Sequence, residues 1–134
     1  MKNEIFVVKE NIALTKDVYK MILSGNTDGI TASGQFVNIL IDGLYLRRPI
    51  SVCDYENGSL TLVYKVVGKG TKIMSEMRGG EKLDILVGLG NGYDLSKAGD
   101  TPLLIGGGVG VPPLYNLAKK LVAMGKKVSV ILGF

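Results

Sequence analysis

The feature that most constrains the fold is a glycine-rich run at residues 103–113, Leu-Leu-Ile-Gly-Gly-Gly-Val-Gly-Val-Pro-Pro. It predicts a buried strand that turns through glycines into a helix opened by Pro112, and residues 127–132 predict a second strand. This order is half of a dinucleotide-binding unit, in which glycines let the backbone approach a pyrophosphate. The helix N-terminus is expected to add unpaired N–H groups and the positive end of its dipole. A tight turn without a ligand explains the same glycines, so both interpretations stay open.

The first two-thirds of the chain predicts β structure. Apolar-rich, strand-like segments lie at residues 5–14, 18–23, 35–41, 50–55, 59–67 and 82–87. Turn-forming residues separate them, and Asn57-Gly58 is a strong hairpin signal between the fourth and the fifth. One short helix is predicted over residues 71–78, closed by Gly79-Gly80. Short strands with regular turns indicate a small antiparallel barrel or sandwich.

The composition changes near residue 99, where the strand–helix–strand pattern begins. We therefore predict a domain boundary there, giving units of residues 1–98 and 99–134. The second unit would hold only two strands, and a sheet of that size is marginal by itself. A truncated form of a longer protein, or completion of the sheet by something else, would explain this arrangement.

Composition and charge exclude several classes of function. The chain has no histidine and one cysteine, which rules out Ser-His-Asp and Cys-His catalysis and a four-thiolate metal site within it. The net charge of +4 is too diffuse to predict nucleic-acid binding. Glycine, proline or charge interrupts every apolar stretch before about 18 residues, so we expect no membrane span and a cytoplasmic protein. Cys53 is interpreted as a small core residue, and redox chemistry would have to come from a cofactor.

Two further motifs could hold a phosphate. Arg47 and Arg48 precede a rigid Pro49 at the start of a strand and could present fixed donors, while Ser51 could hydrogen-bond a ring nitrogen. A solvated arginine pair at a strand end is the structural alternative. The segment Gly-Lys-Gly-Thr at 68–71 could cradle a phosphate, with Thr71 either capping the helix or donating to the ligand. A plain strand-to-helix connection fits it equally well.

The combination of these motifs is more specific than any one of them. Arg-Pro-x-Ser, then Gly-Lys-Gly-Thr, then Gly-Gly-Gly-x-Gly-x-Pro-Pro resembles the ferredoxin–NADP⁺ reductase superfamily. Within it, the chain looks most similar to the electron-transfer subunits of the B-type, NAD-linked dihydroorotate dehydrogenases. The resemblance covers nearly the whole chain, but only the front half of the family's length. The matching segments are residues 34–36, 46–51, 63–65, 68–71, 90–93 and 106–117.

This resemblance implies both a fold and a set of cofactor contacts. The fold would be a six-stranded antiparallel FAD-binding β-barrel over residues 1–98, followed by the start, β-α-β, of a Rossmann-like NAD-binding domain over residues 99–134. The implied FAD contacts are Arg48, Pro49, Ile50, Ser51, Val63, Tyr64, Lys65, Gly70 and Thr71. Arg48 would lie near the pyrophosphate, and Ser51 would act catalytically near the reactive ring nitrogen. The implied NAD(H) contacts are Gly107, Gly108 and Gly110.

The resemblance also implies an electron path. Electrons would pass between NAD(H) and FAD, and then through a [2Fe–2S] cluster to an FMN-containing catalytic subunit that converts dihydroorotate to orotate in pyrimidine synthesis, within a heterotetramer. The cysteine-rich segment that holds the cluster in the family is absent here, so no metal ligands are expected in this chain. The alternatives are a small subunit of a ferredoxin:NADP⁺ or sulfide-type oxidoreductase, and a non-catalytic barrel fragment that mediates interactions without cofactor.

Overall fold

A computed structural model describes residues 1–133, and Phe134, the last residue of the predicted second unit, lies outside the described residues. Six strands come from the first part of the chain: β1 (Lys2–Ala13), β2 (Val18–Ser24), β3 (Phe36–Ile39), β4 (Arg48–Glu56), β5 (Ser59–Lys65) and β6 (Lys82–Leu89). Helix α1 (Lys69–Ser75) connects β5 to β6. A short 3₁₀ turn at Leu95–Lys97 then leads to β7 (Leu103–Gly107), a second 3₁₀ turn at Gly108–Gly110, α2 (Pro112–Ala123) and β8 (Ser129–Gly133).

The first six strands form a closed antiparallel barrel in the order β1-β2-β5-β4-β3-β6. Strand β1 closes it by pairing with β2 on one side and with β6 on the other. Closure leaves no free sheet edge, and period-two alternation sends every second side chain inward. The fully buried interior residues include Phe6, Met21, Leu23, Val37, Ile39, Leu60, Leu62 and Ile85. The prediction of a six-stranded antiparallel barrel followed by a β-α-β segment is therefore confirmed.

Two local features fix the register of the β4–β5 hairpin. Asn57 and Gly58 have φ values of 45° and 85°, and Glu56 pairs with Ser59 across them. Positive φ at both turn residues matches the right-handed twist of a hairpin, as the Asn-Gly signal predicted. The pairing shifts between Val52 and Asp54, so Cys53 is the extra residue of a β-bulge.

Helix α1 begins and ends earlier than predicted, at Lys69–Ser75 instead of residues 71–78. The start differs because Thr71 caps the helix from within: its hydroxyl accepts the N–H groups of Val67 at 2.9 Å and Gly68 at 3.2 Å. The helix closes one end of the barrel, since Met74 is fully buried in the barrel core.

Asn11 of β1 ties α1 to the barrel wall. Its side-chain amide donates to the carbonyls of Met74 at 2.8 Å and Met77 at 3.0 Å, which lie at the end of α1. Its side-chain oxygen accepts from the hydroxyl of Tyr64 at 2.9 Å, and Tyr64 is 3% exposed. One side chain therefore satisfies helix-end carbonyls and a buried phenol together.

The second sheet differs from its prediction in burial. Strands β7 and β8 pair in parallel, and α2 packs Leu114, Leu117 and Leu121 against one face. The expectation of a buried strand is wrong for these residues, because Leu103 is 55% exposed and Ile105 69% exposed. Within residues 1–133 a single helix covers this two-stranded sheet, and it covers only the side of Leu104 and Gly106. No helix of this part of the chain is long and apolar enough to cross a membrane.

The Asn11 contacts generate the first prediction. Replacing Asn11 with alanine leaves a buried hydroxyl and helix-end carbonyls without their partner, which should lower the free energy of unfolding by about 1–3 kcal/mol. Urea unfolding followed by circular dichroism measures the change. Asn3→Ala is the matched control, because the Asn3 amide makes a 3.3 Å hydrogen bond to Asp84 on the exposed surface. Equal midpoints for both variants would contradict the role given to Asn11.

Candidate cofactor cleft

A cleft of about 310 Å³ opens between the start of β4, the end of β5 and the start of α1. It collects eight of the nine residues that the resemblance assigned to FAD: Arg48, Pro49, Ile50, Ser51, Val63, Tyr64, Lys65 and Thr71. These residues come from three separate segments of the chain, and antiparallel pairing brings the segments together. Two residues that the sequence analysis missed, Val67 and Val109, complete the lining.

The ninth residue, Gly70, lies against Arg48 beside the cleft. A Cβ atom placed on Gly70 would come within 2.9 Å of Cγ of Arg48, closer than real Cβ contacts allow. The absence of a side chain at this position therefore lets the arginine stem lie along the first turn of α1. The missing side chain makes room for the arginine stem against α1, and Arg48 lines the cleft.

The two neighbouring arginines have different partners. Arg47 forms a 3.0 Å ion pair with Asp84 and also donates to the carbonyl of Asn38 at 3.2 Å. Arg48 donates to the carbonyl of Leu46 at 2.5 Å, and a carbonyl does not neutralise its charge. The predicted phosphate donors are thus separated: Arg47 stabilises the barrel wall, and Arg48 presents its charge to the cleft.

The side chain of Tyr64 does not point into the cleft. It lies inside the barrel, stacked on Tyr19 with ring centroids 6.0 Å apart, and its hydroxyl reaches Asn11. Burial raises the pKa of Tyr64 from 10.0 to about 12, against the opposing effect of the hydrogen bond to Asn11. Since the phenol is 3% exposed, what Tyr64 offers the cleft is backbone.

The glycine turn after β7 lies beside the barrel cleft, since Val109 lines it. Gly107, Gly108 and Gly110 are exposed, and a Cβ at Gly108 or Gly110 would meet nothing within 4 Å. Gly106 has a packing role, because a Cβ there would lie 2.5 Å from Cδ1 of Leu114 on α2. The turn is therefore open to a ligand on one side, and Gly106 allows close strand–helix packing on the other.

The expectation of unpaired N–H groups at the start of α2 is wrong. Pro112 and Pro113 open the helix and carry no N–H, and the N–H of Leu114 donates to the carbonyl of Val111 at 3.0 Å. The N–H of Val111 in turn donates to the carbonyl of Gly108. Backbone donors for a phosphate must therefore come from the turn at Gly108–Gly110, with the helix dipole as a weaker contribution.

Curated relatives cover this chain completely. The dihydroorotate dehydrogenase B (NAD⁺) electron-transfer subunit of Fusobacterium nucleatum is 47% identical over 143 aligned residues, covering 100% of the chain and 55% of that protein. The chain is a homologue of these electron-transfer subunits. It spans about half the length of the curated relatives that it matches. No family model matches the chain.

Solved structures agree with this homology. An NADH-dependent reduced ferredoxin–NADP oxidoreductase, solved to explain flavin-based electron bifurcation, superposes with a TM-score of 0.86 at 30% identity, over 96% of this chain and 48% of the other. The flavohemoglobin of Malassezia yamatoensis, solved with bound FAD and heme, gives a TM-score of 0.81 at 26% identity, over 98% and 37%. The barrel and the following β-α-β segment of the homologue thus have the ferredoxin reductase fold.

The cleft of this chain has the charges and the apolar surface that a flavin diphosphate requires. An anionic group needs fixed positive charge and donors, which the guanidinium of Arg48 and the ammonium of Lys65 supply. The side chain of Lys65 is half exposed and its ammonium lies 3.9 Å from the carboxylate of Asp17, so this ion pair is weak. The apolar side chains Ile50, Val63 and Val67 give the rest of the lining the surface that an aromatic ring system requires.

Cys53 is the sole thiol and lies on the bulge of β4, outside this cleft. Burial raises the pKa of the thiol from 9.0 to about 11, and the adjacent carboxylate of Asp54 adds to the increase. Both causes disfavour the thiolate. The interpretation of Cys53 as an unreactive, buried residue is in keeping with this environment.

The raised pKa generates the second prediction. At pH 8 the folded chain should hold about 100-fold less Cys53 thiolate than the unfolded chain, because the pKa of the thiol is about 11 in the folded chain and 9.0 in the unfolded one. Reaction with Ellman's reagent should therefore be slow in buffer and fast in 6 M guanidinium chloride.

The same shift gives the protein a pH-dependent stability. The unfolded thiol ionises near pH 9 and the folded one near 11, so the contribution of Cys53 to stability should be constant below pH 8 and should fall as the pH rises from 9 to 11. Cys53→Ala should remove the part of the fall that begins at pH 9. Equal Ellman rates in folded and unfolded protein would show that the thiol is accessible after all.

Proposed function

We propose that the chain binds FAD in the Arg48 cleft and forms the flavin-binding part of a dihydroorotate dehydrogenase B electron-transfer subunit. The observation that supports this most directly is that eight residues that the resemblance assigned to FAD, from three separate segments of the chain, line one cleft. Residues 1–98 would be the FAD-binding domain, and residues 99–134 the beginning of the NAD-binding domain.

Each lining group has a role that follows from its chemistry. Arg48 would bind the diphosphate of FAD, with Gly70 making room for the arginine and Thr71 holding the first turn of α1 in place. Ser51, on the same strand three residues further, would donate a hydrogen bond to the reactive ring nitrogen. Val63, Tyr64 and Lys65 would contact the flavin along β5, with Tyr64 contributing backbone. Pro49 and Ile50 would complete the apolar lining.

The exposed glycine turn beside the cleft would bind the second nucleotide, NAD(H). Gly107, Gly108 and Gly110 would approach NAD(H) through their backbone, and Val109 would stand between the two nucleotides. Bound FAD would supply the redox chemistry, exchanging a hydride with NAD(H) and electrons with the next carrier. The protein's part is to align the two rings and to exclude water from between them.

The proposal extends to a partner protein. The name of the relatives implies a catalytic subunit of dihydroorotate dehydrogenase, and we propose that it carries FMN, oxidises dihydroorotate to orotate and assembles with this subunit as a heterotetramer. A [2Fe–2S] cluster would join the two flavins. Its ligands cannot come from this chain alone, which has one cysteine. The 30% identity to the ferredoxin–NADP oxidoreductase supports a second candidate, in which the same cleft serves a ferredoxin-linked enzyme.

An absorbance titration tests the flavin site. Addition of FAD to the purified chain should give a retained flavin spectrum after gel filtration, with release on denaturation. Anaerobic addition of NADH should then bleach the flavin absorbance if the glycine turn alone is enough to bind the nicotinamide nucleotide. Co-purification with a dihydroorotate-oxidising subunit would support the first candidate function, and co-purification with a ferredoxin would support the second. A chain that retains no FAD would leave only the non-catalytic barrel fragment.

The third prediction concerns Arg48. Arg48→Ala should weaken FAD binding by roughly 10- to 100-fold, because a charge-assisted hydrogen bond to a phosphate contributes about 1.5–3 kcal/mol. Fluorescence quenching of FAD measures the dissociation constant. Arg78→Ala is the matched control, since the Arg78 side chain is exposed outside the cleft and removes the same charge. Equal losses in both variants would mean that only net charge matters.

A further inference from the structure

A buried polar network joins the barrel to α2. The hydroxyl of Ser33 donates to Oδ1 of Asn116 at 2.5 Å, and Nδ2 of Asn116 donates to Oδ1 of Asp54 at 2.8 Å. Ser33 and Asn116 are each 4% exposed. We call Ser33, Asn116 and Asp54 the interface network. Its members come from the β2–β3 connection, the middle of α2 and strand β4.

The chemistry of the network gives Asn116 one orientation. Its amide must present N–H to the carboxylate of Asp54 and oxygen to the hydroxyl of Ser33, and a flipped amide would place oxygen against carboxylate. Because Ser33 and Asn116 are both buried, leaving the side-chain amide of Asn116 without one of its partners is costly. The hydrogen bonds of the network therefore allow α2 only one position against the barrel, whereas the leucine contacts on the other side of α2 have no preferred direction.

The β-bulge at Cys53 is what aims Asp54 at the helix. Simple alternation from the buried Val52 would turn residue 54 into the barrel. With Cys53 inserted, Asp54 pairs with Thr61, which alternates with the buried Leu60 and Leu62 and so faces outward. The same face carries the 2.9 Å ion pair between Lys119 of α2 and Asp54.

The same network reaches the connection between the two units. The carbonyl of Ser33 accepts the N–H of Tyr93 at 2.8 Å. Gly34 and Gly92 hold this contact close: a Cβ on Gly34 would overlap the ring of Tyr93, and one on Gly92 would overlap Ala32. Ser33 thus contacts the connecting segment through its backbone and α2 through its side chain.

We propose that Asn116 is a positioning residue that sets how the glycine turn sits over the flavin cleft. The proposal rests on the function proposed above. Asn116 lies about one helical turn, roughly 6 Å, from Pro112, and only Val111 separates Pro112 from the turn whose Val109 lines the cleft. Because α2 is a stiff element, fixing Asn116 fixes Val109 relative to Arg48 and Ser51. The angle at which the nicotinamide ring meets the flavin depends on this contact.

A donor–acceptor exchange tests the proposal. Asn116→Asp faces Asp54 with a second carboxylate and should raise amide hydrogen exchange in α2 and in residues 91–95 by roughly tenfold or more. The double variant Asn116→Asp with Asp54→Asn restores a donor, an acceptor and one charge, and should return exchange to within about twofold of wild type. Glu56→Gln is the control, because it removes the exposed 3.5 Å ion pair between Glu56 and Lys119 outside the network and should change exchange less than twofold.

Flavin spectra supply the second readout. In the FAD-loaded chain, Asn116→Asp should leave the FAD dissociation constant within about threefold of wild type, but should increase quenching of flavin fluorescence by iodide. The double variant should reverse that increase. Unchanged exchange in Asn116→Asp, or a double variant no better than the single one, would overturn the proposal. A wild-type chain that takes up no FAD would overturn the proposed function, and with it the placement of the turn over a flavin. In that case amide hydrogen exchange would still show whether the network fixes α2.

Discussion

Strand β4 is the element on which the rest of the structure depends, because it contacts both the cleft and helix α2. Its first residues, Arg48 to Ser51, line the cleft, and its last ones, Asp54 and Tyr55, contact α2. The bulge at Cys53 separates the two parts and changes the side to which the strand presents its residues. A single strand therefore lines the cleft with one stretch and contacts the helix that follows the glycine turn with the other.

The barrel gives this strand its rigidity. Pairing with β3 and β5 fixes β4 on both edges, and the Asn11 contacts hold α1 against the barrel end. Helix α1 has only two turns and would not be stable alone, so its position relies on the buried Met74 and on the Asn11 amide. Arg48 lies along that helix at Gly70, and the direction of its charge thus depends on contacts made at the far end of α1.

Sequence reasoning succeeded where the signals are local. Period-two alternation predicted the barrel strands, and Asn57-Gly58 predicted the hairpin, because both depend on neighbouring residues alone. The cleft residues came from motif order through the family resemblance. The Asn11 and Asn116 contacts could not be predicted, since their partners lie 53 to 83 residues away and polar residues in a strand or helix usually face water. Burial of β7 was misjudged because an apolar strand does not reveal how many of its faces are covered.

The arginine pair shows that position, more than residue type, decides which side chain is left available to a ligand. Arg47 directly precedes β4 and Arg48 is the first residue of that strand, and the two side chains meet different partners. One side chain meets Asp84 on β6, where the ion pair cancels the charge. The other meets Gly70 and the carbonyl of Leu46, groups that constrain the guanidinium without neutralising it. A guanidinium that is held by neutral groups keeps its attraction for an anion and has already lost the conformational freedom that binding would otherwise cost.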